Sequence, residues 1–231
     1  MTNSAPPEIK LQPGPNGLEL QAQGPDAPGP VSVDFGSGKI RHRRRGGHNE
    51  ALGRAVGLKS RPGLELVDAT AGLGSDSFVL ADLGCRVSMI ERHPLVHAIL
   101  ADGLHRAQIS EDEWLREVSS RMTLLAADSG HWLMNNPDIA DVVYLDPMFP
   151  LRGKSARVKK EMWLFQQLLA AEEQGDDLLP AAMNAARWRV VVKRPARAEP
   201  LPGAKPHHHI PGKTVRFDVY SCGPSIHSES E

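Results

Sequence analysis

The chain has 231 residues, of which 40% are hydrophobic, and its formal net charge is −1 at pH 7. This length supports one substantial core, and the near-neutral charge excludes a protein whose whole surface attracts nucleic acid, so any such affinity depends on local basic clusters. With only two cysteines, Cys85 and Cys222, a disulfide scaffold is excluded. No apolar run reaches the length of a membrane span and the N-terminus lacks the features of a secretion signal, so we expect a cytoplasmic protein.

The first part of the chain is rich in Pro and Gly. Within it, Leu18–Gln21 and Val31–Phe35 alternate apolar and polar residues, which is typical of strands. We therefore predict a small, partly flexible β-ribbon appendage over residues 1–38 and a second domain over residues 39–231. Disorder at the extreme end is the alternative. A short helical pattern follows around residues 50–56.

From residue 64 onward, strand patterns alternate with helix patterns. The predicted strands are Leu64–Asp68, Arg86–Glu91, Met122–Leu125, Asp141–Leu145, Trp188–Lys193 and Thr214–Tyr220. The predicted helices are Ser75–Leu83, Pro94–Arg106, Lys154–Ala171 and Leu178–Ala186. This order indicates an α/β fold with a mostly parallel sheet covered on both faces. The last strand alternates in polarity, which predicts an antiparallel strand at the sheet edge, and the Pro-rich residues 194–213 are predicted to form a loop.

A glycine-containing turn, DATAGLGSD, follows the first strand of this domain. Gly72 and Gly74 allow a sharp turn, and the backbone N–H groups of the helix that follows face the ligand side. A dinucleotide fingerprint requires a third glycine, but Ser77 occupies that position. Asp68 and Asp76 on either side favour a ligand with a cationic amino-acid end, such as S-adenosylmethionine. A purely structural turn is the alternative.

Acidic side chains also follow the next two strands. Glu91 is placed to accept hydrogen bonds from both hydroxyls of an adenosine ribose, in a nicotinamide or an adenosylmethionine cofactor. Arg92 either covers the adenine or forms a surface ion pair. Asp128 and Ser129 either bind the adenine amino group and a ring nitrogen or cap the next helix.

The fourth strand of the domain ends in Asp146-Pro147-Met148-Phe149. The Asp146 carboxylate and the Pro147 carbonyl can accept both hydrogens of a base amine, and Phe149 can stack on a base withdrawn from its neighbours. This signature is typical of methyltransferases that act on exocyclic amines of nucleic-acid bases, although Met148 stands where the broader pattern has a second Pro. An ordinary strand-end turn is the alternative.

Two basic runs offer phosphate contacts. They consist of Arg41, Arg43, Arg44 and Arg45, and of Arg152, Lys154, Arg157, Lys159 and Lys160. Lys193, at the end of the fifth strand, can reach a phosphate or the base pocket. Solvated helix faces are the alternative. We predict no metal site, since His207, His208 and His209 lie in a Pro-rich stretch typical of exposed loops.

Together these segments resemble the bacterial 16S ribosomal RNA guanine-N2 methyltransferase family. The resemblance is carried by Val67–Gly74, Ile90–Arg92, Val143–Pro150, Val158–Met162 and Val190–Pro195. It implies a class I, Rossmann-like fold, S-adenosylmethionine as cofactor, and a guanine of the small ribosomal subunit as substrate. It also implies cofactor contacts by Ser75, Asp76, Glu91, Arg92, Asp128, Ser129 and Asp146. The sequence departs from the family at Ser75, where Arg is common, and at Asp128, where Ser is common.

Three other functions stay open at this point. The first is methylation of another base amine, such as N6 of adenine in RNA or DNA. The second is a nicotinamide-dependent oxidoreductase, which the absent third glycine disfavours. The third is a non-catalytic RNA-binding factor, which the intact residues Asp146 and Phe149 disfavour.

Overall fold

The structure, a computed structural model, describes residues 7–24, 27–45, 50–147, 160–169 and 178–223. The strands are β1 (Ile9–Gly14), β2 (Gly17–Ala22), β3 (Val31–Ser32), β4 (Glu65–Asp68), β5 (Arg86–Ile90), β6 (Met122–Leu125), β7 (Ala140–Leu145), β8 (Ala186–Pro195), β9 (His208–Ile210) and β10 (Val215–Ser221). The helices are α1 (Gly38–Arg45), α2 (Glu50–Val56), α3 (Ser75–Asp82), α4 (Pro94–Gln108), α5 (Glu113–Ser119), α6 (Ser129–Met134), α7 (Lys160–Leu169) and α8 (Leu178–Ala185).

A seven-stranded sheet in the order β6-β5-β4-β7-β8-β10-β9 organises the fold. Strands β4 to β8 run parallel, and β10 is antiparallel to both β8 and β9. The predicted α/β class and the antiparallel last strand are therefore confirmed. Strand β4 pairs with β5 on one side and with β7 on the other, so the strand order reverses there. In open α/β sheets, ligands bind at this switch point, beyond the carboxyl ends of the strands.

The central strands are buried on both faces. Leu66 and Tyr144 belong to one buried hydrophobic cluster, whereas Val67, Val143 and Leu145 belong to a second one. Successive side chains of a strand point to opposite faces, so each of these strands contributes to both clusters. This double burial explains the consecutive apolar residues Leu66-Val67 in β4 and Val142–Leu145 in β7.

The N-terminal strands form a separate antiparallel sheet that packs against α4. Leu20 and Phe35 are buried in the same cluster as residues of the large sheet, and the Phe35 ring stacks on Phe78 with centroids 4.8 Å apart. The predicted strand around Leu18–Gln21 is confirmed. The second predicted strand is shorter than expected: its pairing with β2 ends at Ser32, and Val33 and Phe35 are buried in the core beyond the strand. Strand β1 was not predicted.

The C-terminal part corrects two predictions. Residues 194–213 are not entirely a loop, since β8 extends to Pro195 and β9 lies within the segment. Strand β10 is not at the edge, because β9 pairs with it on the outer side. Its alternating polarity was misleading: Asp218 is only 1% exposed and pairs with Arg216 at 2.7 Å instead of facing solvent.

Most predicted helices are confirmed, as α2, α3, α4 and α8. The predicted helix over residues 154–171 contains α7, and both its ends lie outside the described residues. Helices α1 and α5 were not predicted, and α6 was anticipated only in the alternative that Asp128 or Ser129 caps the next helix. Asp112 and Asp128 accept hydrogen bonds from the first turns of α5 and α6, so the N-cap Asp112 is the signal that would have located α5. No helix in the described ranges is long and apolar enough to cross a membrane.

Candidate active site

The carboxyl edge of the parallel sheet gathers most of the predicted site residues. Asp68 is the last residue of β4, and Glu91 and Asp146 directly follow β5 and β7. Leu145 pairs with Val192, so the next residues along the two parallel strands, Asp146 and Lys193, lie side by side. The sequence placed these groups on different strands, and the sheet order brings them to one edge.

The glycine turn between β4 and α3 has the left-handed conformations that the sequence implied. Gly72 has φ 54° and Gly74 has φ 70°. A Cβ at Gly74 would lie 2.8 Å from Cδ1 of Leu100, so this glycine is required for close packing as well as for its backbone conformation. A Cβ at Gly72 would meet the Phe165 ring at an ordinary contact distance of 3.6 Å. Ser75 is exposed at the first position of α3.

Asp68 supports this turn from inside the protein. One carboxylate oxygen accepts a hydrogen bond from the Thr70 backbone N–H at 3.1 Å, and the other accepts one from the Ser77 hydroxyl. Asp68 is 2% exposed, and this burial, reinforced by Asp76 and Asp146 and opposed by the two hydrogen bonds, raises its pKa to about 7. Its contacts are thus with the turn itself, whereas the sequence predicted a cofactor contact.

The raised pKa of Asp68 predicts a specific dependence of stability on pH. Its contribution to stability is complete below the usual carboxyl pKa of 3.8 and is lost as the pH rises to about 7. As the pH rises through this window, the unfolding free energy of Asp68→Asn is therefore expected to increase relative to that of wild type by about 1.4 kcal/mol per pH unit. Urea unfolding of both proteins between pH 4 and 8 measures the difference. Parallel curves would show that Asp68 is ionised throughout.

Glu91 joins the end of β5 to the glycine turn. One carboxylate oxygen accepts from the Gly72 N–H at 3.2 Å and the other accepts from the His93 N–H at 2.8 Å. These two bonds fix the orientation of the carboxylate, and an oxygen of a carboxylate can accept more than one hydrogen bond. The arrangement suits a pair of neighbouring hydroxyls.

For Arg92, Asp128 and Ser129 the sequence left two alternatives open, namely contact with a ligand or a structural contact within the protein. Asp128 caps α6, since its carboxylate accepts from the His131 N–H at 2.9 Å, and this bond lowers the Asp128 pKa. Arg92 forms an ion pair with Asp128 at 3.5 Å. The Ser129 hydroxyl donates to the Ala69 carbonyl at 2.6 Å, which ties this loop to the glycine turn. The capping and ion-pair roles are thus present, and ligand contacts by these residues stay predictions.

Next to the glycine turn lies a hydrogen-bonded group of polar and charged side chains. The Lys193 ammonium lies 2.7 Å from a carboxylate oxygen of Asp76 and 2.7 Å from one of Asp146. The Tyr144 hydroxyl donates to the same Asp76 oxygen at 2.7 Å, and the Asp146 N–H donates to the Thr70 hydroxyl at 2.6 Å. The sequence singled out neither Tyr144 as a site residue nor the link between Asp76 and Asp146. The signal in the sequence was a hydroxyl-bearing side chain within the apolar run Val142–Leu145.

Protonation in this group follows from burial and neighbouring charges. Burial of Lys193 opposes its charged form, but Asp76 and Asp146 outweigh that effect and raise its pKa. Burial, together with Asp76 and Asp146, raises the Tyr144 pKa well above its usual value. At neutral pH the group therefore contains an ammonium and a neutral phenol, both donating to carboxylates.

Two of the basic side chains predicted to bind RNA, Arg44 and Lys160, make contacts within the protein. Arg44 pairs with Asp82 at 3.3 Å and stacks on Trp114, at the end of α3 that is remote from the glycine turn. The Lys160 ammonium donates to the Pro30 carbonyl at 2.6 Å. Other predicted residues, or their side chains, lie outside the described part, namely Arg43, Arg45, Phe149, Lys154 and Lys159.

The histidines at residues 207–209 are exposed at and beside β9. Within the residues that the structure describes, no group of three or more His, Cys, Asp or Glu side chains is arranged to hold a metal ion. In the described part of the chain, the sheet edge offers carboxylates, the Lys193 ammonium, hydroxyls and backbone N–H groups. Such a set fits a ligand with a cationic group and ribose hydroxyls.

Known proteins share this chain's sequence over most of its length. A family model described as "Putative SAM-dependent methyltransferase" matches residues 1–222. A ribosomal RNA small subunit methyltransferase J from Thioalkalivibrio sulfidiphilus is 51% identical, over 90% of this chain and 82% of that protein. Its namesake from Proteus mirabilis is 50% identical, over 90% of this chain and 84% of the relative.

A solved structure extends the similarity to three dimensions. The crystal structure of a SAM-dependent methyltransferase from Neisseria gonorrhoeae has a TM-score of 0.75 and 31% sequence identity, and the match covers 100% of this chain and 90% of that one. The nicotinamide-dependent alternative is therefore wrong, and S-adenosylmethionine is the cofactor. The chain belongs to the S-adenosylmethionine-dependent methyltransferases and, among these, to the ribosomal RNA small subunit methyltransferase J family.

Proposed function

We propose that this protein transfers a methyl group from S-adenosylmethionine to the exocyclic N2 of a guanine in 16S ribosomal RNA. The observation that carries the proposal is the Asp146 carboxylate at the carboxyl end of β7, next to the glycine turn and followed by Pro147. The names of the relatives support small-subunit RNA as substrate. The choice of guanine N2 rests on the family resemblance of residues 143–150.

The residues of the carboxyl edge fit the cofactor's chemistry. We assign Glu91 to the ribose hydroxyls and Asp76 to the cationic methionine end, with Gly72, Gly74 and Ser75 lining that end through their backbone. Arg92, Asp128 and Ser129 are assigned to the adenine side, and Asp68 supports the turn from below. S-adenosylmethionine bound here supplies a methyl group activated by its sulfonium.

Asp146 and Pro147 act on the base. An exocyclic amine is a poor nucleophile, because its lone pair is delocalised into the ring. The Asp146 carboxylate and the Pro147 carbonyl accept hydrogen bonds from the two N–H groups of the amine and so orient its lone pair towards the cofactor side. Because Lys193 donates to Asp146, this carboxylate serves mainly as an acceptor that orients the amine.

We further propose that basic side chains near the N-terminus and after the signature bind the RNA backbone. These are Arg43, Arg44, Arg45, Lys154, Lys159 and Lys160. We keep as a proposal the division into an appendage over residues 1–38 and a methyltransferase domain over residues 39–231; the appendage has its own sheet of β1, β2 and β3 and shares a buried cluster with the large sheet. An RNA substrate of the small ribosomal subunit implies that the enzyme acts in the cytoplasm.

The direct test supplies S-adenosylmethionine with RNA or small subunits from a strain that lacks the enzyme. Mass spectrometry of the digested RNA is expected to show N2-methylguanine. Methylation of another base, such as N6-methyladenine, would contradict the assignment of guanine N2. Absence of any methylated base from an enzyme shown to bind the cofactor would contradict an RNA substrate.

Phe149 is expected to contribute to turnover without contributing to cofactor binding. Stacking on an aromatic ring is worth about 1–3 kcal/mol per base, so Phe149→Ala should lower kcat/KM for RNA about 30-fold. Calorimetric affinity for S-adenosylmethionine should not change. Phe149→Trp, which keeps an aromatic face, is the matched control and should retain most of the activity. Equal losses in turnover and cofactor affinity would assign Phe149 to the cofactor side or to the fold.

A further inference from the structure

We propose that Lys193 is a positioning residue that joins the cofactor side of the site to the base side by holding the carboxylates of Asp76 and Asp146 together. This inference rests on the proposed function, because it takes Asp76 as a cofactor contact and Asp146 as the acceptor of the base amine. The sequence left two alternatives for Lys193, a phosphate contact or a place in the base pocket, and this inference assigns Lys193 to the pocket.

The geometry is specific on both sides of the ammonium. Both carboxylate oxygens lie 2.7 Å from Nζ, within the range of a charge-assisted hydrogen bond. The side chains of Lys193 and Asp76 are 23% and 11% exposed, so solvent screens this pair only in part. Parallel pairing of β7 and β8 fixes Lys193 beside Asp146, and the first turn of α3 presents Asp76.

The charges around Lys193 explain why it is needed. The facing titratable groups are Asp68 on β4, Asp76 on α3, and Tyr144 and Asp146 from β7. Since Asp76 and Asp146 share one cation, their oxygens lie within twice the Nζ–O distance of each other, where two carboxylates repel, although the 40% exposure of the Asp146 side chain lets solvent screen part of that repulsion. Removing the cation favours protonation of one carboxylate, and a protonated Asp146 no longer accepts fully from a base amine.

The same charges argue against a phosphate contact. An ammonium has three N–H donors, and two of those of Lys193 go to carboxylates. A phosphate arriving here would meet two carboxylates around one ammonium, so the local charge opposes its binding. Lysines that bind the phosphate backbone of RNA instead lie on a protein surface with an excess of positive charge.

The test compares Lys193→Met and Lys193→Arg with Lys205→Met, which removes an exposed lysine between β8 and β9. Lys193→Met is expected to lower kcat about tenfold at pH 7, because a displaced reacting group is costly. Its loss of activity at low pH should begin about one unit higher than in wild type. Lys193→Arg should restore the wild-type pH profile, and Lys205→Met should behave as wild type.

The salt dependence of RNA binding is the second readout. A positioning role leaves the slope of log Kd against log salt unchanged in Lys193→Met, whereas loss of a phosphate contact lowers it by about one. A lowered slope with an unmoved pH profile would overturn the proposal, and so would an unmoved profile in folded Lys193→Met. If that variant does not fold, a pH profile of Lys193→Arg that departs from wild type would overturn it, whereas an unchanged profile would support it.

If the assignment of guanine N2 is wrong, the product will contain a different methylated nucleoside, a result distinct from a change in the pH profile or in the salt slope. The pH shift is measured on whichever base is methylated, so it tests Lys193 independently of the identity of that base.

Discussion

Asp146→Ala should lower kcat for RNA methylation on the order of 1,000-fold, the loss typical of removing a group positioned at the reacting atom. Affinity for S-adenosylmethionine should fall by less than about tenfold, because an acceptor of the base amine acts mainly in the chemical step. The fold should persist for two reasons. The residue 146 N–H still donates to the Thr70 hydroxyl, and Lys193 retains Asp76 as a partner.

The matched control is Asp141→Ala, which removes the same side chain from the other end of the same strand. Asp141 pairs with Arg187 at 3.2 Å and accepts from the Glu65 N–H. Its loss should cost some stability and leave turnover per folded enzyme intact. Single-turnover methylation and calorimetric cofactor binding measure both variants. Near-normal turnover in Asp146→Ala would refute the role of Asp146 as the acceptor of the amine.

Glu91→Ala is expected to weaken S-adenosylmethionine binding about 100-fold. Two hydrogen bonds from ribose hydroxyls to a carboxylate contribute about 1.5 kcal/mol each at the lower end of the range for charged groups. The substitution also removes the acceptor for the Gly72 N–H and so loosens the glycine turn. Calorimetry on the wild type and the variant measures the loss.

Binding of a 2′-deoxy analogue of S-adenosylhomocysteine separates these two effects. Wild type should discriminate against the analogue, and Glu91→Ala should bind analogue and parent compound equally. Discrimination that survives in the variant would mean that Glu91 acts only through the turn. Glu65→Ala, at the amino end of neighbouring β4, is the control and should not change cofactor affinity, since Glu65 pairs with Arg86 and Arg187.

Where sequence predictions failed, the cause lies in tertiary contacts. Asp218 gives β10 a polar alternation, but Arg216 neutralises it inside the protein, so the pattern did not indicate an edge. Strand β9 has three residues and pairs with β10, a partner that is not adjacent to it in the local sequence pattern. Val33 and Phe35 continue a strand-like alternation, yet they are buried off the strand by packing in the core.

The sequence by itself determined the α/β class, the glycine turn, and the positions of Glu91 and Asp146 after strands. These features depend on local patterns, because apolar runs, glycines and strand-end acids carry their signal in neighbouring residues. Only the tertiary structure decided which charged side chains pair across strands. Lys193 donates to the two carboxylates of Asp76 and Asp146, and Asp68 is buried with a raised pKa. Both features depend on residues that are distant in the chain, and local sequence patterns therefore did not indicate them.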